Sequence, residues 1–171
     1  MDAQDRPTVI RLLVYMTLAA GMAGGLSGWV GSSGALEWIS ELNLPSWMPQ
    51  YSVGIAIWAV IMQMTAVGLW IAQRTGRDGL RFITAFLLLG LVALICARTC
   101  VVYGARDVTL GFLATLGTWI YALFAIGLAG RCSRPAGLLL WPLFFWLTYA
   151  LALSFEIMRL NSGGSPYVGG L

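Results

Sequence analysis

Five stretches of this chain carry no charged side chain: Leu12 to Leu36, Ser52 to Ile71, Phe82 to Ala97, Val108 to Gly130 and Pro135 to Phe155. Most approach the ~20 residues needed to cross a hydrocarbon core; Phe82 to Ala97 is short and needs Arg81 or Arg98 to extend it. Inside lipid no water satisfies backbone N–H and C=O groups, so segments of this length must bond internally as helices. Barrel strands would be shorter and would alternate in polarity. The sequence is 59% hydrophobic and 10% charged, against roughly 25% charged in a soluble domain, so a water-soluble fold has no means of covering its apolar surface. The expected fold is all-α, an integral membrane bundle of five transmembrane helices in a single domain over residues 1–171. The helices are expected near 9–31, 52–73, 80–103, 108–130 and 136–158, with an outward lid loop at 32–51.

The first run exceeds the roughly 7–15 residues of a signal-peptide h-region, so it reads as a retained helix. On it, Gly21, Gly24, Gly25 and Gly28 place small residues three and four apart, a pattern that admits a close neighbouring backbone. All ten basic residues are Arg. Five crossings put Arg6, Arg11, Arg74, Arg77, Arg81, Arg131 and Arg134 on one side and Arg98, Arg106 and Arg159 toward the other. By the positive-inside rule the N-terminus is cytoplasmic and the C-terminus outside. The net charge of +3 is therefore a topology signal. No soluble segment combines a basic patch with interleaved aromatics, so nucleic acid is not an expected partner. The chain has three cysteines and no histidine. Cys96 and Cys100 lie one helical turn apart without a His or nearby carboxylate to complete a metal set, and Cys132 belongs at the opposite membrane face from Cys100. Neither a metal site nor a disulfide is expected.

The first connection holds Trp38, Pro45, Trp47, Pro49 and Tyr51, a composition unlike a flexible linker. Its prolines stop a helix from running through, and its indoles suit either an aromatic belt at the headgroups or a lid over the mouth of the bundle. Trp58, Trp119 and Trp146 lie deeper than the headgroup level. Trp146, Tyr149, Leu153 and Glu156 recur at helical spacing, which describes a packed core or the aromatic wall of an apolar cavity for a flat ligand. Two charges intrude on the spans. Arg98 lies about 9 Å from the outer end of its helix at ~1.5 Å per residue, and Glu156 belongs at similar depth. Either each snorkels to the interface, or the two pair in the empty protein and Arg98 takes the acidic edge of a ligand when one enters.

The stretch Glu37-Trp38-Ile39-Ser40-Glu41-Leu42-Asn43-Leu44-Pro45-Ser46-Trp47-Met48-Pro49, followed by Trp58, resembles the W-Y-x-x-L-x-K-P-S-W-x-P-P…W signature of the TspO/MBR family of tryptophan-rich sensory proteins and translocator proteins. A second block, Pro142, Trp146, Ala150, Ala152, Leu153, Phe155, Ile157, Arg159, Leu160 and Asn161, is similar to the family's P-Y-x-x-W-x-x-F-A-x-x-L-N-F-x-I-x-R-L-N. Departures stand at Ile39 (Tyr in the family pattern), Leu44 (Lys), Gln50 (Pro), Leu143 (Tyr) and Ser154 (Asn). In the third helix Ile95 and Arg98 stand where the pattern has Asn and Trp.

The resemblance implies a five-helix bundle, usually homodimeric, with a cavity beneath the first loop that binds porphyrins, haem and synthetic benzodiazepine-site ligands. By position, Trp58 and Trp146 match pocket tryptophans, while Trp38, Pro45 and Trp47 match the lid. Tyr149, Ser154 and Arg98 complete the candidate ligand-binding set, with no catalytic or metal-ligating residue. The family's cholesterol motif is not met, because Tyr149 is followed by no Lys or Arg before Arg159. The implied function is a receptor or sensor for tetrapyrroles, porphyrin or haem being ligand rather than required cofactor, in porphyrin homeostasis or stress signalling. Its expected setting is a bacterial inner membrane, with lipid and a second copy of the chain as further partners. A small-xxx-small pair at Ala93 and Ala97 is a candidate dimer contact. The alternatives are photo-oxidative porphyrin breakdown at Trp58 and Trp146, and porphyrin or sterol transport. The first lacks a nucleophile, base and orienting group, and the second lacks an inverted repeat, paired broken helices and a chain of carboxylates.

Overall fold

The structure is a computed structural model that describes residues 8–76 and 78–162; Arg6 and Arg77 of the topology argument lie outside them. In chain order the elements are α1 (Val9–Ser32), α2 (Ala35–Ser40), α3 (Tyr51–Thr75), α4 (Asp78–Ala105), α5 (Val108–Cys132), α6 (Arg134–Leu139) and α7 (Trp141–Asn161). Among the described residues there is no strand. Five stretches are long and apolar enough to cross a membrane: Val9–Ser32, Tyr51–Thr75, Gly79–Ala105, Val108–Cys132 and Arg134–Asn161. The protein is an integral, multi-pass membrane protein. Its surface carries large apolar side chains such as Phe82, Phe86, Phe124 and Phe145, whose solvent is lipid.

Helix α5 is the hub, packed between α4 and α7. Gly111, Thr115, Thr118, Ala122, Ala125 and Ala129 recur along its buried face, and small side chains there let both neighbours approach. Leu88 and Leu91 of α4, with Leu140, Leu143 and Leu147 of the last span, fill the space against it and are fully enclosed. Helix α1 is the least embedded, burying only Ala19 and Val30. Polar contacts clip it to α3: Tyr15 donates to Gln73 at 2.9 Å, Gln63 to the Met16 carbonyl at 3.2 Å and Trp70 to the Thr8 carbonyl at 3.1 Å.

Three details differ from the sequence expectation. The glycines of α1 do not serve packing within the chain, since a Cβ at Gly21, Gly24, Gly25 or Gly28 would meet no atom of another element within 4 Å. The close approach is at Gly137, where an added Cβ would fall 2.5 Å from Cα of Gly130 and so separate α6 from α5. The fifth span is two helical pieces with a turn at Leu140. Pro142 has no N–H to bond the Leu138 carbonyl, and its ring crowds that oxygen, so the helix restarts there. Finally, the lid region contains a helix of its own, α2, entered through Gly34 at φ +72°, a left-handed conformation open to glycine without a Cβ penalty.

The connectivity places the α2 segment and residues 41–50 at one end of the bundle, beside the start of α3, the α4–α5 turn and the end of α7. Arg74, Arg81, Arg131 and Arg134 gather at the other. At the lid end Asp107 caps α5, accepting from the Thr109 and Leu110 N–H groups at 2.8 and 3.0 Å. Arg106 adopts φ 53° and donates to the Ser33 carbonyl at 2.8 Å, tying the α4–α5 turn to the root of the lid.

Candidate functional site

Beneath the lid lies a cavity of about 230 Å³ that reaches from Pro49 and Gln50 down to Met62 on α3 and Ile95 on α4. Its wall is aromatic. Trp58 and Trp146 meet edge to face with ring centroids 6.3 Å apart, and Tyr149 stacks on Trp146 at 5.2 Å and 22°. Tyr149 continues upward to Trp47, whose ring it meets at 5.5 Å. Trp146 and Tyr149 stand on successive turns of α7 because residues three apart share a helix face, while Trp58 comes from α3 and Trp47 from the lid.

The predicted site residues separate into two groups. Trp38, Trp58, Arg98, Trp146, Tyr149 and Ser154 line the cavity. Pro45 and Trp47 do not; Pro45 is buried in the lid, and Trp47 lies over α7 with its ring half exposed. Trp119 is a packing residue, donating to Thr148 at 2.9 Å and resting against Phe144.

Arg98 and Glu156 do not pair. Glu156 is held by Arg159 in a bidentate contact along α7, with Nε to Oε2 at 2.9 Å. The reason is helical phase: the lining stripe of Trp146, Tyr149 and Leu153 continues to Ile157, four residues on, while Glu156 falls to its side. Arg98 instead places its guanidinium carbon 5.4 Å from the centre of the Trp58 ring and donates to Thr115 Oγ1 at 3.4 Å. Thr115 accepts because its own hydroxyl hydrogen is used on the Gly111 carbonyl at 2.8 Å.

Two latches hold the lid to α7. Asn161 brackets the Asn43 backbone, accepting from its N–H and donating to its C=O, each at 3.0 Å. Tyr149 donates to the Trp47 carbonyl at 3.0 Å. Sequence reasoning overlooked Asn161 as a functional residue although it closes the second motif block, because nothing in one dimension pairs it with Asn43. Tyr51, Tyr103 and Thr115 also line the cavity, and only their positions in the folded bundle reveal it.

A family model described as TspO/MBR family matches residues 13–160. The chain belongs to the TspO/MBR family. It is similar to protein CrtK of Rhodobacter capsulatus, at 27% identity over 90% of this chain and 94% of that protein. It is likewise similar to a tryptophan-rich sensory protein of Cereibacter sphaeroides, at 28% over 78% and 85%, and to the translocator protein of Ovis aries, at 25% over 88% and 90%. Set on the structure, the departures from the TspO/MBR motifs are concentrated in one place. Ile39, Leu44, Gln50, Ile95, Arg98 and Ser154 all line the cavity, whereas Leu143 is in the core.

The latch geometry makes a prediction independent of any ligand. Asn161→Ala removes both bonds to Asn43 and leaves the α7 stack intact, so amide hydrogen exchange across 41–49 is expected to quicken roughly tenfold, as for the loss of one or two net hydrogen bonds. Exchange in the transmembrane helices should be unchanged. Unaltered exchange in the lid would show that the rings alone hold it.

Proposed function

We propose that this protein is a membrane receptor or sensor that binds tetrapyrroles, porphyrin or haem, in the cavity beneath the lid, and that it acts in porphyrin homeostasis or stress signalling. The observation that carries this reading is the wall formed by Trp58, Trp146 and Tyr149, whose faces and edges lie at the spacing of ring contacts and offer apolar surface to a flat aromatic body. The names of its relatives, a tryptophan-rich sensory protein and a translocator protein, agree with a sensor or receptor. At about 230 Å³ the cavity is smaller than the roughly 300–1,000 Å³ typical of ligand sites, so a macrocycle would need it to widen. A segment latched by a few polar bonds suits that movement.

The sequence has no His, the commonest axial ligand of haem iron, and among the described residues no group of three His, Cys, Asp or Glu stands ready for a metal. The macrocycle would be held by its faces. Tryptophan-quenching titrations of the full chain in nanodiscs are therefore expected to give protoporphyrin IX and haem dissociation constants within about threefold of each other. Iron that tightens binding by orders of magnitude would mean that a side chain ligates it. Absence of quenching by either would overturn the tetrapyrrole reading.

The setting proposed is a bacterial inner membrane with the N-terminus cytoplasmic, on the asymmetry of Arg between the two ends of the bundle. The working unit proposed is a homodimer. Ala93 and Ala97 are exposed on α4 among the described residues, so a second copy can seat there without ordering long side chains. Ala93→Leu with Ala97→Leu is expected to shift the protein toward monomer in cross-linking across a detergent dilution series. A dimer of undiminished stability would place the contact elsewhere.

A further inference from the structure

Two buried N–H donors on side chains of the cavity wall have no partner among the described residues: Nε of Arg98 and the indole Nε1 of Trp146. A buried donor left unbonded is costly, more so when it belongs to a charged group. Both side chains touch Trp58, the guanidinium over its ring and the Trp146 indole edge to face with it. The Trp58 ring and Thr115 Oγ1 support the cation without neutralising it. Among the described residues no carboxylate stands within ion-pair distance of Arg98. Among the described residues Asp107 is the only acidic one lining the cavity, and its Oδ1 is occupied by the Thr109 and Leu110 N–H groups at the start of α5. Glu156 is bonded to Arg159.

We infer that Arg98 and Trp146 form a subsite for a carboxylate, so that the cavity selects apolar molecules bearing an acidic group over their neutral counterparts. The inference rests on the reading that this cavity is the ligand site, and it adds the chemical class. A positive, donor-only region in an otherwise apolar chamber offers nothing to a hydrocarbon and little to a neutral carbonyl. To a carboxylate it offers charge-assisted bonds in a region of low dielectric. A carboxylate reaching that wall gives these side chains the acceptor they lack, while the apolar body lies along Trp58 and Tyr149. The carboxylate can belong to a porphyrin propionate or to a long-chain fatty acid, and the two sources share this chemistry.

The test is a set of titrations at neutral pH on the full chain in zwitterionic nanodiscs, read by tryptophan quenching for protoporphyrin IX and its dimethyl ester and by calorimetry for dodecanoate and methyl dodecanoate. Wild type should prefer acid over ester by about tenfold or more. In Arg98→Gln acid affinity should fall to that of the ester while ester affinity is retained. Trp146→Phe, which keeps the ring and removes the N–H, should narrow the preference partly, and Arg98→Lys, which keeps the charge, should preserve most of it. Equal binding of porphyrin acid and ester by wild type overturns the subsite and leaves porphyrin binding standing. A tenfold preference for dodecanoate over its ester with no porphyrin bound supports the subsite and overturns the porphyrin reading. Equal loss of acid and ester in Arg98→Gln, with Arg98→Lys unaffected, also overturns the subsite, since the cation would then be supporting the fold. Binding of none of the four overturns both readings.

Discussion

The stack of Tyr149 on Trp146 is the contact on which the lid end of this molecule depends. Tyr149 presents its ring to Trp146 below and Trp47 above, and its hydroxyl to the Trp47 backbone, so one side chain joins a cavity inside the bilayer to the segment that covers it. A tyrosine is suited to that position because its body is apolar and its tip is polar. The phase of α7 must be correct for this to happen. That phase is set lower in the span, where Leu140, Leu143 and Leu147 are enclosed against the small-residue face of α5 and where Pro142 restarts the helix. Core packing at one end of the span thus determines what the other end can touch.

Backbone accounting explains the division of labour between the two ends. Within hydrocarbon each N–H and C=O has to find its partner in its own helix, which leaves no freedom for loops. Residues 41–50 escape that constraint by lying at the end of the bundle. There a few bonds, from Asn161, Tyr149 and the nearby Arg106 anchor, give the chain a defined path. The lid is consequently ordered by polar contacts that can be broken singly, whereas the bundle is ordered by burial that cannot.

Much of this was legible in one dimension because the membrane imposes simple rules. Uncharged runs identified five spans, the motif blocks around Trp38 to Trp58 and Pro142 to Asn161 identified the cavity end, and helical spacing identified Trp146 and Tyr149 as neighbours. What remained hidden depended on rotation and on contacts distant in sequence. Helical phase decides that Ile157 and not Glu156 faces the cavity, and a same-helix partner at Arg159 draws Glu156 away from Arg98. The glycines of α1 carry a packing signature with none of the described residues packed on it. The break at Leu140 was signalled by Pro142, yet a proline near a helix start is also compatible with an unbroken span.

Arg98 is the departure from the family motifs that most alters the chemistry of the cavity wall. Where the TspO/MBR pattern has an aromatic ring, this chain has a permanent cation resting on a neighbouring ring. Ile39, Leu44, Gln50, Ile95 and Ser154, the other departures from the motifs along the cavity, line it with Arg98. Whether a ligand enters this cavity is most directly measured by hydrogen exchange of the full chain in nanodiscs, with and without protoporphyrin IX. Slowed exchange at 41–50 and at the adjoining ends of α3 and α7, with none at the end carrying Arg131 and Arg134, is the expected result. Protection confined to the Arg131–Arg134 end, or an exchange pattern unchanged at saturating porphyrin, would contradict it.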